Sequence, residues 1–269
     1  MTVLIEAAWL IVLAVLEIVA MQWRRLVHGQ VRKFRNLAFA VVNHAVIPVV
    51  SVSMAHLLTP RIGTHWVAGL PVVVGVAVTV VVLDFAGYWF HRFSHRNLFL
   101  WRFHQIHHLD EDFDATTGAR VHTIEGFLHH VILLVLVVVL GVPASYFTGF
   151  VTLSFLIALF HHANIAIPAR TERVLRLVLF TPALHVPHHH EDIANTDTNF
   201  GFIFPWWDRM FGTYNTVART SEWRIGLDYS HDLPLHRLLV QPFLPRQLKE
   251  TAPAPAAVSA GVGKDAAAC

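Results

Sequence analysis

Residues 66–108 read WVAGLPVVVGVAVTVVVLDFAGYWFHRFSHRNLFLWRFHQIHH, and they decide the fold. From Trp66 to Phe90 the stretch is apolar, charged only at Asp84, and long enough for a helix that crosses a bilayer, which needs about 20 residues. At its end the character changes. His91 and His95 stand four apart, and His104, His107 and His108 follow at helical intervals. A membrane helix is thus expected to deliver histidines to its own end.

Outward from this stretch the same hydropathy recurs. Val3 to Gln22 and Leu37 to Leu58 are further spanning candidates. Gly126 to Val142 and Tyr146 to Phe160 are shorter, joined at Pro143, and form either two spans or a re-entrant hairpin; in both cases the ends near His122 and His162 lie on one side. Hydrophobic residues make up 55% of the chain and charged residues 14%, against roughly 45–50% and about 25% in soluble domains. The fold class expected is all-α: an integral membrane helical bundle with a cytoplasmic histidine-rich helical cap. Residues 1–65 read as an N-terminal membrane hairpin, 66–250 as the catalytic membrane domain, and 251–269, rich in Ala and Pro, as a disordered tail. No basic residue precedes the first apolar run and no small-residue cleavage site follows it, so it reads as a membrane segment rather than a removable signal peptide.

Charge gives orientation. Arg24, Arg25, Arg32, Lys33 and Arg35 follow the first run, whereas only Arg61 follows the second, so the first loop should face the cytoplasm. The third run then descends to a cytoplasmic end at His91, and the histidine-rich segments collect on that side. The net charge of +2 is modest and its basic residues cluster near segment ends, which gives no support to a nucleic-acid partner. Cys269 is the only cysteine, which excludes a disulfide framework and a thiolate metal site.

Twenty histidines point to metal. His185, His188 and His189 repeat the spacing of His104, His107 and His108, which on a helix places imidazoles on one face. Neutral imidazole ligates iron, zinc, copper or nickel, whereas crowded imidazolium cations would repel. His122 and His162, each at the end of an apolar segment, join the candidates. Eight to ten such donors exceed the needs of one ion and fit two. Asp84, Glu125 and Asp197 could accept the second ring N–H of ligating histidines. A histidine outside such a pattern is ordinarily hydrogen-bonded or solvated. His161, His190, His129 and His130 therefore rank below the candidates, and His28, His44, His56, His65, His231 and His236 read as structural or solvated.

The segments DFAGYWFHRFSH (84–95), WRFHQIHH (101–108), RVHTIE (120–125), FHHANIAIP (160–168), HVPHH (185–189), DTNFG (197–201) and WDRMFGTY (207–214) resemble, in order, the fatty acid hydroxylase superfamily, also called the sterol desaturase family. Thr123 departs from the pattern, since many members have proline there. The resemblance implies an O2-dependent oxidoreductase with two iron ions held by His91, His95, His104, His107, His108, His122, His162, His185, His188 and His189. It places Asn199 at a motif asparagine near the site. It also implies hydroxylation or desaturation of an acyl, sterol-like or ether lipid from the bilayer and a separate electron-donor protein; zinc is a further occupant after purification, since affinity order does not decide the working metal. Two other readings stand beside it: a zinc-dependent lipid hydrolase or isomerase, with metal-bound water as nucleophile, and a divalent-metal transporter, in which ligands near the membrane midplane would be expected.

Overall fold

The computed structural model describes residues 2–23 and 29–244; the tail expected over 251–269 lies outside them. Five helices are long and apolar enough to cross a membrane: α1 (Thr2–Val19), α2 (Gly29–Ile62), α3 (Val72–Arg96), α5 (Thr123–Leu140) and α6 (Ala144–His161), with the shorter α4 (Leu98–His108) following α3. Beyond them come α7 (Ala169–Leu175), α8 (Pro182–His185), α9 (Ile193–Thr196), α10 (Trp206–Met210) and α11 (Leu235–Val240). No strand forms among the described residues. At 1.5 Å per residue, the 18 residues each of α5 and α6 give the pair enough length to cross.

Local chemistry sets these boundaries. Pro71 and Pro143 stand just before α3 and α6, where a missing N–H costs nothing. Gly141 ends α5 at φ 66°, and a Cβ there would lie 2.3 Å from the His65 nitrogen, so only glycine fits the turn. Asn97 separates α3 from α4 by accepting hydrogen bonds from Phe99 N and Leu100 N, a side-chain N-cap. That turn folds the end of α4 back against the end of α3.

The bundle core joins α2, α3, α5 and α6 through Ala55, Leu83, Leu133, Val137, Phe147 and Phe150. Outward faces are apolar as well: Leu4 is 75% and Val73 81% exposed. Contiguous apolar surface of this kind marks a membrane-facing belt, and the chain is a multi-pass membrane protein. The second apolar run reaches further than its hydropathy suggested. Arg32, Lys33 and Arg35, assigned to a connecting loop by charge, stand on the first turns of α2. Arg32 pairs with Asp110 at 2.7 Å and with Asp114, and Arg35 with Asp232 at 2.7 Å. Buried carboxylates thus draw these cations into structure; Arg24 and Arg25 lie outside the described residues.

Candidate metal centre

Nine of the ten histidines named from the sequence converge in two buried groups. His91 and His95 from the last turns of α3, His104 and His108 from α4, and His188 form the first. His107, His162, His185 and His189 form the second. Within each, one ligand atom per residue lies within 4.8 Å of all the others. The expectation that each spaced cluster keeps its imidazoles on one face is corrected: partners four residues apart stay together, and the residue three along crosses over. His104 and His108 thus face one group and His107 the other. His185 and His189 share the second group while His188 joins the first. On α4 this follows from about 100° of rotation per residue, which turns neighbouring His107 and His108 to different sides.

Hydrogen bonds fix the tautomers. The Nδ1–H of His91 donates to Phe200 O at 2.9 Å, that of His107 to Arg120 O at 3.1 Å, that of His162 to Ala158 O at 2.7 Å and that of His188 to Thr198 O at 2.8 Å. His104 Nδ1 meets Glu125 Oε1 at 2.6 Å, and His95 Nδ1 meets Asp197 Oδ1 at 3.2 Å. A carbonyl only accepts, so each Nε2 opposite such a bond carries a bare lone pair. Yet His162 Nε2 lies 3.2 Å from that of His107, both rings standing on carbonyls, and the Nε2 atoms of His91 and His104 and of His162 and His185 crowd together at 3.1 and 2.9 Å. Lone pairs facing one another at this separation repel unless a cation lies between them. Nitrogens that share one ion at about 2.1 Å lie about 3–3.5 Å apart, so the residues present fit a pair of metals.

Electrostatics agree. Burial pushes His107, His108, His185 and His189 well below the ordinary histidine value, and neighbouring imidazoles push them further. Burial thus favours the neutral form of these four rings, the state that ligates. An all-imidazole donor set without thiolate suits iron, zinc or copper.

The surrounding polar residues divide. Glu125 and Asp197 touch rings as expected. Asp84 does not: buried in α3, it accepts from Ile203 N at 2.9 Å, Phe204 N at 3.2 Å and Trp207 Nε1 at 2.8 Å. A buried carboxylate is satisfied by the nearest donors, and here those belong to the loop after the last histidines. Asn199 also touches no ring; at φ 56° it donates to Leu184 O and Asn215 O and accepts from Asn215 N, tying together the segments on either side of His188. Asp208 accepts from Phe200 N and Gly201 N at 2.8 Å each and so holds the carbonyl that orients His91; burial pushes its carboxyl up to about 6. Nothing in the sequence singled it out.

His122 is not brought to either group. It caps α5, its Nδ1 accepting from Ile124 N at 3.2 Å while its Nε2 faces Leu239 O at 3.3 Å. A side chain turned back to cap its own helix cannot also reach inward. His161, ranked lower, packs with its ring 4.2 Å from that of His185.

Two cavities adjoin the site. A small one of about 60 Å³ touches His91, His104, His107, Glu125, His161, His162 and His185. A larger, largely apolar one of about 150 Å³ lies between α2, α5 and α6. Gly118, Val121, Ala158 and Phe202 line both, forming a neck between membrane interior and histidines. A Cβ on Gly118 would lie 2.5 Å from Ala158 O and 2.9 Å from His162 Nδ1, so glycine keeps this passage narrow but unobstructed.

Residues 76–213 match the family model described as fatty acid hydroxylase. The chain is 29% identical over 201 residues to an ornithine lipid hydroxylase, OlsE, of Rhizobium tropici, covering 74% of this chain and 60% of that one. It is 32% identical over 132 residues to the alkylglycerol monooxygenase of Danio rerio and 29% identical to that of Homo sapiens, each alignment covering 49% of this chain and 28% of the relative. The chain spans 60% of the length of OlsE and 28% of that of the two monooxygenases. No solved structure matches it.

Proposed function

We propose a function from this premise: the chain belongs to the fatty acid hydroxylase family, and its two histidine groups work together as the di-iron centre of an O2-dependent membrane lipid hydroxylase or desaturase. The observation that carries the reading is the pair of buried, inward-facing imidazole clusters set at the end of an apolar cavity. His91, His95, His104, His108 and His188 would hold one iron, and His107, His162, His185 and His189 the other. Bound iron would supply O2 activation with electrons from a separate donor protein.

The chain's own residues do the rest. Glu125, Asp197 and the carbonyls of Phe200, Arg120, Ala158 and Thr198 keep protons on Nδ1, so each Nε2 stays available; such outer partners also make the ligands more basic. The neck at Gly118, Val121, Ala158 and Phe202 admits a hydrocarbon segment toward the histidines while its apolar walls exclude water. The relatives named above act on an ornithine lipid and an alkylglycerol, which supports a polar-headed membrane lipid as substrate here. We place the site on the cytoplasmic side, as the basic residues before α2 favour, and residues 66–250 as the catalytic part.

Comparative mass spectrometry of membrane lipids with and without the protein, under 18O2, tests this. One lipid class should gain one labelled oxygen or lose two hydrogens, and nothing should change under argon. Turnover of a lipid without O2 would overturn the oxygenase and favour the zinc hydrolase or isomerase.

A further inference from the structure

The larger cavity is apolar over most of its wall, and three of its polar residues turn acceptors to it, whereas His129, whose buried Nε2 has no partner and no bond that fixes its proton, can either accept or donate. Asn43 donates one Nδ2 hydrogen to Val121 O at 2.7 Å, and its Oδ1, buried, has no hydrogen-bond partner. His130 donates from Nδ1 to Gly126 O at 2.9 Å, which fixes the proton there and leaves Nε2 a bare acceptor, also buried and unpartnered. Ser154 uses its hydroxyl hydrogen on Val151 O at 3.0 Å, so its oxygen too can only accept. All three residues line the cavity. Asp84, on the same wall, is already satisfied by its three donors.

Buried acceptors without a partner are costly, and a binding site that carries them discriminates strongly against ligands unable to fill them. We propose that this cavity selects lipids bearing an O–H or N–H hydrogen-bond donor, such as a hydroxyl or a secondary amide, over lipids whose linkage offers only acceptors, such as ethers and esters. The donor's place follows from the helix. His130 stands five residues beyond Glu125 on α5, roughly 7–8 Å along the axis, and Asn43 is tied to Val121 at the neck. The donor group is therefore held just inside the neck, and the carbon presented to the histidines lies close to the lipid's polar linkage rather than far out along the tail. This deepens the proposed oxygenase and rests on it for the reacting carbon, but the selectivity itself is a property of the cavity.

Binding without turnover tests it. The full chain in nanodiscs, stripped of metal and kept under argon, is titrated with matched probes: 1-hexadecanol against its methyl ether, and N-methylpalmitamide against N,N-dimethylpalmitamide and methyl palmitate. With partition into protein-free discs subtracted, each donor probe should bind at least tenfold tighter than its donor-free partner. His130→Phe and Asn43→Leu should each reduce that ratio, and together remove it. Equal binding within both pairs in the wild-type chain overturns the proposal without recourse to any variant, and so does full selectivity in a folded double variant. Preference in one pair alone assigns the donor as hydroxyl or as amide. A chain that discriminates in this way but oxidises no lipid under air would sink the oxygenase reading and leave this one standing.

Discussion

The two histidine groups are built from the same rings but supported differently. In the first, carboxylates stand behind two rings, Glu125 behind His104 and Asp197 behind His95. In the second, His107 and His162 rest on main-chain carbonyls, while the Nδ1 atoms of His185 and His189 have no hydrogen-bond partner among the described residues. An anionic partner makes an imidazole a stronger donor than a carbonyl does. The comparison teaches that near-symmetric ligand sets can give two unequal sites, with the first expected to hold metal more tightly.

The largest effect should come from emptying either group. His188→Ala in the first and His107→Ala in the second should each abolish lipid oxidation, but metal analysis should separate them: the His107 variant should keep close to one ion per chain, and the His188 variant less. Equal loss in both would break the comparison. A smaller effect is expected one layer out. Glu125→Gln should lower metal affinity by about 10- to 100-fold, read by competition with a chelator, while Asp197→Asn, whose carboxylate is 22% exposed, should lower it less. The smallest effect belongs to His122→Ala. It should leave metal content unchanged and cost about 1 kcal/mol of stability through the lost helix cap, measured by thermal unfolding in detergent. Loss of an ion in that variant would place His122 back among the ligands.

Much of this centre was legible because histidine spacing and hydropathy are both local signals. The period of α4 brought His104, His107 and His108 to the right end of the right helix, and it also contained their division between two groups, since residues four apart lie nearly above one another. What stayed hidden depends on distant partners. Asp84 stands two turns before His91, and proximity along the helix suggested a ring as its partner; its actual donors come from Ile203, Phe204 and Trp207, about 120 residues away. Arg32 and Asp110 are separated by 78 positions, and Arg120 and Asp232 by 112. No periodicity links such pairs. The cavity acceptors were hidden for a related reason: His130 looks like any histidine in an apolar run until its Nδ1 is seen to be occupied.

Glu125 sits in the first turn of α5 yet holds a ring of α4, and His162 directly follows α6 while facing the rings of His107, His185 and His189. The histidine-bearing head and the greasy stalk are consequently one object. A water-soluble fragment cut free of its bilayer helices would take with it neither the carboxylate that aims His104 nor one corner of the second cage, so efforts to simplify this protein by trimming away its lipid-embedded half should yield a scatter of histidines rather than a smaller enzyme.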